Sequence, residues 1–153
     1  MEVVNEYPPN WDLIKVALPK ATGNALFCYG DTVYNPSKQE IQPDRMFHES
    51  VHKDQQGDDV DGWYKRYLTD REFRFQQELE AYGKQFMVLK DGVERMADEF
   101  RAEGKRLGIG KNNVLDAALD SMASALSGDA YGNLVDFGQA RSKIRNYARS
   151  LIS

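Results

Sequence analysis

Ala25-Leu26-Phe27-Cys28-Tyr29, then Gly30-Asp31, then Thr32-Val33-Tyr34 reads as a β-hairpin, two short runs of strand formers joined by a two-residue turn. Asn35-Pro36-Ser37 ends the second strand. From Pro43 the pattern turns helical. Pro43 suits a first helical position and Gly57 the residue just past the end, which predicts a helix over 43–56. One hairpin ahead of a helical run makes the expected class α+β, a small N-terminal β-hairpin packed on a mainly helical body.

Upstream, Pro8-Pro9 is a breaker, and a short amphipathic stretch runs from Trp11 to Leu18, ended by Pro19. Downstream, the acidic loop Gly57-Asp58-Asp59-Val60-Asp61 leads to a helical turn carrying Trp63, Tyr64, Tyr67 and Leu68. Thr69-Asp70-Arg71-Glu72 has a capping-box pattern and opens a long helix to about Leu89, which Asp91-Gly92 should break. Val93–Leu107 and Val114–Leu126 are two further helical runs, separated by Gly108-Ile109-Gly110. Asp136 to Gln139 caps a last helix that ends near Leu151.

Composition narrows the function classes. At 41% hydrophobic and 29% charged, the 153 residues have the make-up of one globular domain and exclude a disordered chain. A single cysteine, Cys28, excludes an intramolecular disulfide and a cysteine-based zinc site. A net charge of -4 argues against a basic nucleic-acid platform. Ala25–Tyr29 is among the longest apolar stretches and is too short to span a bilayer. The acidic start Met1-Glu2-Val3-Val4-Asn5-Glu6 lacks the regions of a secretory signal, so synthesis in the cytoplasm is expected, with neither nucleic acid nor membrane as partner.

The chemistry is concentrated in His48-Glu49-Ser50-Val51-His52, which contains the only two histidines of the chain. Four residues is about one helical turn, so both imidazoles leave the same helix face and can share one ion. Their nitrogens suit Zn2+. Glu49, next to the first ligand, is placed to take a proton from an activated water and pass it to a leaving amine. Two histidines placed at random here fall four apart about 1% of the time, and a glutamate after the first brings this to about one in a thousand. A catalytic zinc usually takes three protein ligands, and with no third histidine the third is Asp or Glu. Glu78 and Glu80 stand in the next long helix. With Phe75 as zero at about 100° per residue, Leu79, Tyr82 and Phe86 lie within roughly 40° and define a buried stripe. Glu78 falls about 60° to one side of Phe75 and Glu80 about 140° away, toward solvent. Glu78 is therefore the expected ligand and Glu80 the alternative. On this reading residues 1–153 form one minimal domain, with 25–90 the metal-site core and 91–153 a helical C-terminal part.

His48-Glu49-x-x-His52 with a glutamate on a second helix resembles the gluzincin branch of zinc metallopeptidases. Glu78-Leu79-Glu80-Ala81 fits that branch's Glu-x-x-Ala form, while Tyr82 stands where an Asp often supports the first histidine. The wider string is Tyr29-Gly30-Asp31-Thr32-Val33-Tyr34-Asn35-Pro36, the histidine motif, Trp63-Tyr64-x-x-Tyr67-Leu68 and Phe73-Arg74-Phe75-Gln76-Gln77-Glu78. Over roughly residues 25–90 it is similar to small metallopeptidases of tailed bacteriophages and prophages, some of them tail-associated. Leu126-Ser127-Gly128-Asp129-Ala130-Tyr131-Gly132-Asn133 belongs to the same likeness. The resemblance implies a zincin-like body, a protein or peptide substrate, partners among phage tail or cell-wall components, and association with the virion.

The expected activity is thus zinc-dependent peptide hydrolysis, with His48, His52 and Glu78 as ligands and Glu49 as base. The alternative is a non-catalytic phage structural or assembly protein with a structural zinc; a third reading is a toxin-like or immunity-related factor acting on one host protein. The hairpin could offer an edge to an extended substrate or merely cover the core. Tyr64, Tyr67, Tyr82, Tyr131 and Arg74 are candidates to stabilise an oxyanion. Asp58-Asp59-Val60-Asp61 lacks the alternating ligands of a calcium loop and reads as solvated. Cys28 reads as a small buried hydrophobe, Trp11 and Trp63 as packing, and Arg141, Lys143, Arg145 and Arg149 as a solvated face.

Overall fold

Gly30 takes the left-handed backbone (φ 58°) that a two-residue hairpin turn demands. Around it, in a computed structural model that describes residues 1–21, 25–104 and 110–152, strands β2 (Phe27–Tyr29) and β3 (Thr32–Tyr34) pair antiparallel, Cys28 opposite Val33. A further strand, β1 (Glu2–Val4), lies parallel to β3 with Val3 opposite Val33, so the sheet order is β1-β3-β2. The fold is α+β, as the sequence predicts, but β1 is an addition. Three residues with little burial carry no readable alternation, and β1 becomes a strand only through its distant partner β3.

Helix α1 spans Trp11–Ala17, and α2 spans Pro43–Gln56 with Pro43 in its first turn and Gly57 at φ 52° beyond its end. The Trp63 segment is a ten-residue helix, α3 (Val60–Thr69), capped by Asp59 accepting from Gly62 N at 2.9 Å. The capping box is displaced by one residue. Thr69 closes α3, donating to Lys65 O, and Asp70 instead caps α4 by accepting from Phe73 N at 2.9 Å. The predicted break at Asp91-Gly92 does not occur, because α4 runs unbroken from Arg71 to Ala102. One helical glycine costs about 1 kcal/mol against alanine, too little to end a helix held by packing against α2, α5 and α6. Helices α5 (Lys111–Ser127) and α6 (Phe137–Ser150) follow, joined through a 3-10 turn at Asp129–Tyr131, with Asp136 accepting from Gln139 N. The end of the Val93–Leu107 run and the Gly108-Ile109 loop fall in residues 105–109, outside the described residues.

Among the described residues two apolar cores result. Phe75, Tyr82 and Phe86 of α4 pack with Leu119 and Leu126 of α5 and Ile144 of α6. Ile14 and Leu18 pack with Phe27, Trp63, Tyr64 and Tyr67. Gly83 allows α4 and α6 their close approach, since a Cβ there would sit 2.3 Å from Tyr147 Cδ1. The face of α6 read as solvated is partly neutralised by α5, Arg141 pairing with Asp116 at 2.7 Å and with Asp120.

Candidate metal centre

Helix α2 delivers both histidines inward one turn apart, and its C-terminal end is tied to the hairpin by Lys53, which pairs with Asp31, and by Gln56. Gln56 donates to Cys28 O at 2.7 Å and accepts from Gly30 N at 2.8 Å. Helix α4 crosses opposite and brings Glu78, 1% exposed, to the same point. The structure thus brings His48, His52 and Glu78 together as a buried group that could hold a metal ion, with one ligand atom from each within 4.8 Å of the others. The two Nε2 atoms are 3.1 Å apart, and Glu78 oxygens lie 3.4 Å from His48 Nε2 and 3.3 Å from His52 Nε2.

The outer hydrogen bonds fix which atoms face the centre. Gln85 Nε2 donates to Asp44 Oδ2 (2.7 Å), which turns Gln85 Oε1 to His48 Nδ1 at 3.0 Å. Gln55 Nε2 donates to Gln77 O (3.0 Å) and Glu80 Oε2 (3.1 Å), turning its Oε1 to His52 Nδ1 at 2.8 Å. A carbonyl oxygen only accepts, so both Nδ1 atoms carry hydrogen and a neutral ring presents its Nε2 lone pair inward. Tyr67 donates to Glu78 Oε1 at 2.5 Å, whereas the buried Oε2 has no hydrogen-bond partner among the described residues. Two lone pairs and a carboxylate converging in a buried site call for a cation. Donors about 2.0–2.1 Å from one tetrahedral ion stand about 3.3 Å apart, the spacing these residues already show.

Without a metal that cation is a proton. Burial pulls the His52 imidazole down, but the charge and hydrogen bond of Glu78, aided by Glu49 and Gln55, outweigh it and hold the group up at about 9. Burial likewise works to raise the Glu78 carboxyl, and the two histidines overcome it and keep it well below the usual carboxylate range.

Glu80 is no member of the cluster. It is partly exposed, pairs with Lys84 at 2.6 Å and reaches His52 only through Gln55. Glu49, 8% exposed, faces the cavities beside the cluster. The oxyanion candidates separate by their partners. Tyr64 donates to Cys28 O at 2.7 Å, Tyr67 to Glu78, and Arg74 to Tyr67 O and Tyr131 O. Tyr82 and Tyr131 share a hydroxyl contact at 3.1 Å and both line the cavities. The Tyr82 ring lies 4.4 Å from that of His48, and Gln85 rather than residue 82 supports that histidine. Trp63 packs as read, stacked on Tyr67 at 4.6 Å, and Cys28 is buried, its thiol pushed up to about 12 chiefly by burial.

Sequence reasoning missed both glutamines. Gln85 falls about 20° from Glu78 on the α4 wheel, and Gln55 lies three residues after His52, so helical spacing held the signal. None of the protein-family models, curated proteins or solved structures compared with the chain matches it.

Proposed function

We propose that this protein is a zinc-dependent peptidase of the gluzincin kind. The observation that carries the reading is the convergence of His48 Nε2, His52 Nε2 and the orphaned Glu78 Oε2 beside Glu49 at the wall of an open cavity. Zinc held by His48, His52 and Glu78 would supply Lewis acidity and an activated water. Glu49 accepts the proton of the incoming water and delivers it to the leaving amine. Gln55 and Gln85 hold the imidazoles in the tautomer the ligands need, and Tyr67 orients the carboxylate. Burial keeps the Tyr131 hydroxyl well above its ordinary range, so it stays protonated and, paired with Tyr82, serves as donor to the developing oxyanion.

A purely structural zinc is normally closed by a fourth protein ligand. Among the described residues the cluster has three members, and the cavity beside it supports the catalytic reading over a structural metal in a phage assembly protein. The test is Glu49→Gln in zinc-loaded protein: zinc content stays near that of wild type, while peptide hydrolysis drops by about 10²–10⁴-fold. Hydrolysis at the wild-type rate in that variant would sink the mechanism.

A further inference from the structure

Resting on the peptidase reading, we infer that the substrate is an internal segment of a polypeptide, with a large apolar residue on one side of the cleaved bond and a hydrophilic one on the other. Two cavities, of about 300 and 370 Å³, meet at a common wall formed by Arg45, Glu49, Tyr82 and Tyr131. The first opens on the His52 and Glu78 side, the second on the His48 side. The reacting bond belongs at their junction, beside Glu49, so the chain must continue into both.

Their walls differ in what they offer a ligand. The first is built from Ile14, Leu18, Phe27 and Leu68 together with Trp63 and Tyr64. Away from the shared wall and the metal cluster, its polar atoms are engaged within the protein: Tyr64 OH on Cys28 O, Tyr67 OH on Glu78, and Trp63 Nε1 on Gln77 Oε1 at 2.9 Å. A polar side chain reaching the part walled by Ile14, Leu18, Phe27 and Leu68 gives up water for no partner, so an aliphatic or aromatic one is selected. The second has Asp44 and Ser121 in its wall and so presents a carboxylate and a hydroxyl, while the Gln85 amide there is held between Asp44 and His48. A hydrophilic side chain keeps hydrogen bonds there.

The experiment incubates zinc-loaded protein with a mixed decapeptide library blocked at both termini and locates the cuts by mass spectrometry. The expected result is cleavage at internal bonds, with large apolar residues enriched about tenfold or more on one side only. Ala130→Trp, which narrows only the first cavity, abolishes that enrichment. Cuts without a one-sided apolar preference overturn the inference. A second readout needs no turnover: amide chemical shifts of Glu49→Gln protein titrated with a blocked peptide of leucine flanked by serine. Shifts at Leu18, Leu68 and Ala130 on one side and Ser121 on the other are expected, with those at Leu18 and Leu68 lost in Ala130→Trp. Absence of shifts overturns the cleft. An uncut library alongside these shifts refutes the peptidase reading and leaves the cleft standing.

Discussion

Gln85→Ala isolates the contribution of the outer hydrogen bonds to the metal centre. Gln85 is 5% exposed and holds His48 Nδ1 at 3.0 Å, with its own amide nitrogen on Asp44. Truncation leaves a buried Nδ1–H without its acceptor and frees the ring to turn or to move its hydrogen to Nε2, the atom needed for the ion. Partners of this kind are worth about 10–100-fold in metal affinity, which is about 1.4–2.7 kcal/mol. Zinc affinity measured by competition with a chromophoric chelator should fall by that factor, and Gln85→Glu combined with Asp44→Asn should restore it, since a carboxylate accepts the same hydrogen bond and the amide introduced at position 44 donates to it where two carboxylates would repel. A circular-dichroism melt of each variant separates this from unfolding. Unchanged affinity in a folded Gln85→Ala protein would refute the argument that the tautomer is held from outside.

Glu78→Ala should abolish tight zinc binding, while Glu80→Ala, acting only through Gln55, should weaken it by no more than about tenfold; elemental analysis of the purified variants decides, and zinc lost from Glu80→Ala alone would reverse the assignment. In chelator-treated protein the His52 group, held at about 9 against an ordinary 6.5, contributes stability fully below about pH 6.5 and loses it as pH rises through 9. Glu78, held below its ordinary 4.5, contributes above that pH and loses the contribution on acidification. The metal-free melting midpoint should therefore peak between about pH 5 and 6.5 and decline toward pH 9, while the stabilisation added by zinc grows over that interval as the ligands deprotonate; a flat metal-free midpoint from pH 6.5 to 9 counts against the coupling. Gly83→Ala should lower stability by up to about 2 kcal/mol despite its better helix propensity, because the contact with Tyr147 costs about 1–3 kcal/mol against a gain of about 1; a raised urea midpoint would contradict the packing.

The sequence by itself determined what is local. The Gly30-Asp31 turn, the limits of α2, the presentation of His48 and His52 on one helix face and the preference for Glu78 over Glu80 all follow from backbone preferences and helical periodicity, which act over a few residues. What depends on residues far apart in the chain was decided only by the tertiary structure. β1 exists because β3 offers it a partner, and α4 continues through Asp91-Gly92 because one glycine costs too little to end a helix whose preceding part, as far as Phe86, is buried against its neighbours. Gln85 could be placed on the right helix face, but only the approach of α2 to α4 sets its amide against His48. The same approach gives Glu78 its burial, leaves Oε2 without a partner and opens the two cavities around Glu49, since a cluster's electrostatics depend on which helices exclude water from it.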